Sequence, residues 1–244
     1  MQPDPTTLLD KIGVTRPLVG VYDAPDAAPF APVVTIAGDA GTCMFAFWEQ
    51  WMNGVTLQLT AGSFGCRGAG SCLFGVATRS PEEMVSFLVD KEGLKRSRDA
   101  MRAWIERRRL YRPASGNVFI GPLRPAQYGS LRTVTFFVDP DQLAALLLGA
   151  NYDSGPDDPA PVLAPFGSGC SQLLPLFPDL DAAQAIVGAT DIAMRQWVPP
   201  EIVAFTVTKP MFERLCRLDE RSFLHMPFLK RLRDERARAA RAAG

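Results

Sequence analysis

Four of the five cysteines in this chain stand in short polar or glycine-rich surroundings: Cys43 in GTCMF, Cys66 and Cys72 in SFGCRGAGSC, and Cys170 in GSGCSQ. The fifth, Cys216, sits inside FERLCRL, the kind of apolar run that surrounds a structural cysteine. At the first four positions the backbone turns and a thiol can face a cleft. Thiolates so placed hold a soft metal or an iron–sulfur cluster, or act as nucleophiles. The intervening RGAGS is flexible enough to turn the sulfurs of Cys66 and Cys72 to one point. Its glycines leave backbone N–H groups available to sulfide or thiolate. Arg67 adjoins Cys66, and a neighbouring cation lowers a thiol pKa. The C-x5-C spacing matches neither a zinc knuckle nor a ferredoxin, so convergence with Cys43 and Cys170 rests on tertiary structure.

Other chemistry has less support. The single histidine, His225, lies in SFLHMPFL on an apolar stretch, where a packed or interfacial role is expected. Any Ser/His/Asp or Cys/His unit would have to use it, and a zinc site built from several histidines is excluded. GCRGAGSC lacks the Lys-Ser/Thr ending of a phosphate-binding loop and does not fit G-x-G-x-x-G after a strand. GATDIAMRQWVPPE supplies Asp191, Arg195 and Glu201; Arg195 can either grip a carboxylate or phosphate bidentately or pair structurally with Asp191.

These residues need elements to hold them. TTLLDKI reads as a short helix capped by Thr6 or Thr7, and PLVGVYD, APVVTIA and VTLQLT read as strands. TCMFAFWEQWMNG, apolar all round, suits a buried helix opening at Cys43. Five glycines in AGSFGCRGAGSCLFG preclude a regular element. SPEEMVSFLVDKEG has a serine cap, proline at the first helical position and acids in its first turn, and KRSRDAMRAWIERRRLY forms a second, basic helix. FIGPLRP reads as a strand edge or loop because of its prolines. VTFFVDPDQLAALLLG and VAFTVTKPMFERLCRL each alternate as a strand and then place Pro140 or Pro210 at a helix start, a weak internal repeat; the first helix is expected to stop at Gly149. Between them lies the turn-rich loop NYDSGPDDPAPVLAPFGSGC, long enough to suggest function. The Arg- and Ala-rich tail, about residues 226–244, reads as a charged, solvated helix. The fold class expected is α+β: a single domain with a mixed or antiparallel sheet flanked by helices, built partly from two similar strand–helix units.

Composition narrows the partners. Lysine plus arginine number 26 and aspartate plus glutamate 26, so the formal net charge is zero, which argues against nucleic acid or an anionic membrane as partner. No segment approaches the roughly 20 apolar residues of a membrane span. MQPDPTTLLDKIG has no basic region leading into an apolar stretch, so no signal peptide is expected and a cytoplasmic location is. In that reducing compartment an odd number of cysteines points to ligands, catalytic groups or core residues and away from disulfides.

Cys43 before an apolar helix, the CRGAGSCLFG loop, FFVDPDQLAALLLGANYDSG, the GSGC turn and GATDIAMRQWVPPEIVAFTVTKPMFERL follow one another in order. Together they resemble the DUF169 family, prokaryotic proteins without a settled function. The resemblance runs from PLVGVY to FERL, and its cysteine pattern falls on Cys43, Cys66 and Cys170; at Cys72 the pattern more often has a small residue. It implies a shared cysteine site and no established reaction.

The functional expectation is an iron–sulfur protein, or one binding another soft metal such as zinc, through Cys43, Cys66, Cys170 and Cys72. Three ligands on a 4Fe–4S cluster leave one iron open for redox or Lewis-acid chemistry on a small anionic substrate anchored by Arg67 and Arg195. Four ligands suggest an electron-transfer partner or a structural role. The alternative is a non-catalytic sensor whose cysteines capture a thiophilic ligand.

Overall fold

Strand β5 (Leu131–Val138, LRTVTFFV) is rich in β-branched and aromatic residues and buried along nearly its whole length, as befits a strand covered on both faces. The computed structural model describes residues 3–36, 43–60, 74, 80–107, 111–167 and 169–243. Among these, eight strands form one open mixed sheet, ordered β2-β3-β4-β1-β5-β8-β7-β6. The others are β1 (Val19–Asp23), β2 (Val33–Thr35), β3 (Thr56–Thr60), β4 (Asn117–Pro122), β6 (Val162–Leu163), β7 (Ala185–Gly188) and β8 (Val203–Thr208). The outermost pairs, β2–β3 and β6–β7, are parallel and all inner pairs antiparallel, so the pattern reads the same from either edge. The α+β class read from the sequence is the observed one.

Side-chain alternation divides the core by face. On one face Tyr22, Phe119, Val134, Phe136, Phe205 and Val207 lie under helices α1 (Thr6–Ile12), α5 (Pro140–Asn151), α6 (Lys209–Cys216) and α7 (Pro227–Ala243). On the other, Val19, Val21, Leu57, Leu59, Val118, Ile120 and Phe137 meet short elements only. These are a 3-10 turn (Met44–Phe47) running into α2 (Trp48–Met52), a second 3-10 turn (Gly169–Gln172) and a third (Ile192–Trp197). Helices α3 (Pro81–Ser86) and α4 (Arg98–Glu106) make a satellite core from Met84, Val85, Leu88 and Met101.

The two strand–helix units are neighbours: β5 pairs antiparallel with β8, Thr135 opposite Thr206 and Phe136 opposite Phe205. Both helices start where proline marks them. Asp139 and Gln142 close a capping box at α5, while Thr208 precedes α6, making Pro210 its second residue.

Four local expectations change. Helix α1 starts at Thr6, but its N-cap is Pro5, without a side-chain cap; the Asp4 carboxylate ahead of it accepts from the Thr6 N–H at 3.0 Å and the Thr6 hydroxyl at 2.6 Å. FIGPLRP is part strand and part loop: FIGP forms the end of the interior strand β4, with Pro122 opposite Val19, where its missing N–H breaks no interior pairing, and Leu123 and Arg124 lead on to a 3-10 turn, Pro125–Gln127. Helix α5 continues through Gly149 to Asn151, because that glycine is a packing position against Leu215. SPEEMVSFLVDK begins with the expected serine cap, which Ser80 extends to a capping box with Glu83, but passes after Ser86 into a π-helical turn, Phe87–Lys91. Among the described residues no helix is long and apolar enough to cross a membrane. The expected tail helix is α7, which turns Leu229 inward and is otherwise largely exposed.

Candidate cysteine site

The face covered by short turns carries both described cysteines of the sequence-derived set. Cys43 adopts an extended conformation (φ −68°, ψ 138°) just before the Met44–Phe47 turn, and its carbonyl accepts from the Ala46 N–H at 3.1 Å. It is half-buried and packs against the apolar cluster of this face. Cys170 is the second residue of the Gly169–Gln172 turn and is 6% exposed, a member of the same cluster. Cys66, Cys72 and Arg67 lie outside the described residues.

The Cys170 turn is fastened to the sheet by buried polar groups. The Thr133 hydroxyl donates to the Leu173 carbonyl at 2.6 Å, and Gln172 Nε2 donates to the Thr190 hydroxyl at 2.7 Å and the Pro165 carbonyl at 3.2 Å. Asp191 caps the third turn by accepting from the Ala193 N–H, and its other oxygen accepts from the Gly169 N–H, each at 3.0 Å. The glycines of GSGC answer to close packing. A Cβ on Gly169 would come within 2.7 Å of Met194 Cγ and 3.0 Å of Phe45 Cε2; one on Gly167 would meet the Ser171 hydroxyl at 2.5 Å. Phe45 therefore bridges from the residue after Met44 to the residue before Cys170.

Aromatic rings fill the space between. Trp51 is fully buried, edge-on to Phe45 with ring centroids 5.6 Å apart and nearly parallel to Phe137 at 6.5 Å; Trp48 meets Phe137 edge-on at 6.3 Å. At the end of the π-helical turn, burial and then the negative charge of Asp191 push the half-buried Glu92 carboxyl above its ordinary range. No motif marks Glu92 in the sequence, because its surroundings are set by residues distant along the chain.

Arg195 is engaged locally. Its Nη1 donates to the Ile202 and Ala189 carbonyls, and its Nη2 to those of Pro200 at 2.6 Å and Pro199 at 3.1 Å. The guanidinium clamps the loop from 189 to 202, and gripping an anion would require exchanging those bonds. No ion pair forms between Arg195 and Asp191, whose carboxylate serves the two N–H groups named above. Cys216 lies on the opposite face, half-buried, its thiol pushed up to about 12, chiefly by burial; this fits a structural residue. His225 is half-buried in a 3-10 turn, Phe223–His225, leading to α7.

Chemically, the face offers two thiols in an apolar, aromatic surrounding, a donor type that suits soft metals over hard ones. Among the described residues no three His, Cys, Asp or Glu side chains gather closely enough to hold a metal ion.

No curated protein and no solved structure matches the chain. A family model for DUF169, described as an uncharacterised ArCR family, matches residues 7–217, from α1 through the whole sheet to the end of α6. That match takes in both described cysteine turns and all eight strands, and the chain therefore belongs to the DUF169 family.

Proposed function

We propose that the turn-covered face holds a cysteine-ligated soft-metal centre, an iron–sulfur cluster foremost and zinc as the alternative. The observation that carries this is that Cys170 belongs to, and Cys43, remote in sequence, packs against, one apolar cluster. Cys66 and Cys72 complete the ligand set as candidates from the sequence. An apolar shell excludes water and favours sulfur ligands for a metal of low charge density. When bound, a cluster with one open iron supplies electron storage or a Lewis-acid position for a small anionic substrate. The chain's own part is to present thiolates, to keep water out and to hold the Cys170 turn rigid through Thr133, Gln172 and Asp191. A reducing cytoplasmic setting, expected from the sequence, keeps the thiols available as ligands. The outside partner is then that substrate or an electron-transfer protein.

The same pair of thiols supports a second reading, a sensor that captures a thiophilic ion without turnover. Anaerobic purification with visible absorption and iron, zinc and acid-labile sulfide analysis separates the readings. Matched iron and sulfide, lost in Cys43→Ser and Cys170→Ala, is the expected result. A protein that stays metal-free after reconstitution with iron and sulfide, or a Cys170→Ala variant with full cluster content, overturns the metal-centre reading. Stoichiometric arsenite binding by that metal-free protein, abolished by Cys170→Ala, establishes the second.

A further inference from the structure

On the helical face, across the sheet from the cysteines, the end of α1, the Phe223–His225 turn and the start of α7 enclose a groove of about 460 Å3. Its floor is aliphatic. Leu224 and Leu229 are 3% and 7% exposed and belong to the core of this face, while Met226 beside them is 39% exposed. The rest of the lining is basic: Lys11, Lys230, Arg233 and His225, with no acidic side chain among them. The zero net charge of the chain therefore conceals a local excess, three permanent cations around one apolar floor. Arg233 fixes the groove in place by donating from Nη1 to the carbonyls of Asp10 and, at 2.9 Å, Lys11. Among the described residues its Nε and Nη2 make no hydrogen bond, and the Lys11 ammonium has neither a hydrogen bond nor an ion pair. Lys230 meets Asp234 at 3.1 Å, but both side chains are more than half exposed, and such a pair stabilises little and exchanges readily. Complementing the carbonyl end of α1 accounts for Arg233 and Lys11. It does not account for Lys230 or for the apolar floor.

We propose that this groove binds an aliphatic carboxylate, its chain on Leu224, Met226 and Leu229 and its head among Lys11, Lys230 and Arg233. Charge complementarity selects an anion, and charged donors bind a carboxylate more strongly than neutral ones do. The aliphatic floor selects a chain. Apart from the imidazole of His225, no aromatic ring lines the groove for a planar ligand to stack on, and no hydroxyl or amide side chain for a sugar to bond. The volume falls within the range of small-molecule sites. All the lining residues except Lys11 follow residue 217, where the family match ends. The site is independent of the metal-centre reading and stands whether or not that reading does.

The test titrates the full chain with decanoate below its micelle concentration, by calorimetry and by the 13C-labelled methionine methyls, Met226→Leu assigning the Met226 signal. Saturable one-to-one binding that shifts the Met226 methyl is expected. The double variant Lys11→Gln, Lys230→Gln should bind about tenfold more weakly, the effect of losing a charge-assisted bond. Should that variant fail to fold, decanol carries the measurement on the unaltered chain: it keeps the aliphatic tail without the charge and should likewise bind about tenfold more weakly than decanoate. Equal affinity for decanoate and decanol overturns the proposal, because the cations then contribute nothing. Equal affinity for acetate and decanoate overturns it too, because the floor then contributes nothing. So does decanoate that fails to saturate or leaves the Met226 methyl unmoved. Adherence to phosphatidylglycerol vesicles that decanoate does not displace assigns this basic surface to a membrane and overturns the proposal as well. Cys43→Ser and Cys170→Ala should leave decanoate binding unchanged, and its loss in both folded variants contradicts the independence of the two sites.

Discussion

Asp23, at the end of β1, is a buried carboxylate whose environment was built around its charge. Its oxygens accept from the Tyr111 hydroxyl at 2.6 Å, the Ala114 N–H at 2.8 Å and the Ser115 N–H at 3.0 Å, with Arg132 at 3.8 Å. Burial pushes its pKa up, but bonds from Ser115, Tyr111 and the two backbone amides outweigh it and hold the carboxyl below its ordinary 3.8. Because the folded value is depressed, the stability it contributes is complete above the ordinary value and is lost as pH falls through the folded one. Asp23→Asn is expected to lower stability by about 1–3 kcal/mol at pH 7, since it leaves donors facing a donor. Urea unfolding at a series of pH values checks this: the gap between wild type and variant should narrow below pH 3.8. A gap that stays constant down to pH 2 contradicts the assignment. The role of Asp23 is to fasten the segment from 111 to 116, whose Tyr111 also packs against the cysteine-face cluster.

At the scale of elements, glycines report how closely neighbours approach. A Cβ on Gly121 in β4 would lie 2.8 Å from the Thr56 Cα on β3, and backbone cannot swing aside. A Cβ on Gly149 in α5 would lie 2.8 Å from the Leu215 Cδ2 of α6, the end of a side chain. Gly121→Ala is therefore expected to cost about 2–3 kcal/mol by forcing the strands apart. Gly149→Ala should cost less than about 1 kcal/mol, because a helix gains roughly that amount when alanine replaces glycine. Chemical denaturation of the two variants decides it, and equal losses would contradict the distinction between backbone and side-chain neighbours. The same contact explains why α5 passes through Gly149: α5 and α6, the helices of the two similar units, pack together there.

For the whole molecule, the two faces of the sheet are covered differently. Long helices cover one, and α7 closes it by burying Leu229 while Arg233 donates to the Lys11 carbonyl at 2.9 Å and Arg236 pairs with Asp141 at 2.6 Å. Helix α7 also lies beyond the family match, which ends at residue 217. Ending the chain at Met226 should lower the Tm by roughly 5–10 °C, mostly through loss of the buried leucine, since the ion pair is exposed. On the metal-centre reading, metal content per chain should stay unchanged, because α7 packs on the helical face and not on the cysteine face. Calorimetry with metal analysis on the truncated chain checks both, and loss of metal in a folded truncation would contradict the division between faces.

The sequence by itself determined the α+β class, most of the strands, the two proline-marked strand–helix units, the serine cap at Ser80 and the family. Each of these depends on local pattern: alternation, fixed backbone angles at proline, and a cap three residues from its partner. It also marked Cys43 and Cys170 through their glycine and polar neighbours. Only the tertiary structure decided that the FIGP end of β4 is interior, since that depends on which strands flank it. The packing of Cys43 against the cluster that contains Cys170 and the closing of the Arg195 guanidinium on its own loop were likewise decided there. Contacts between residues distant along the chain leave no local imprint, because chain compaction, and not neighbouring sequence, sets which side chains meet.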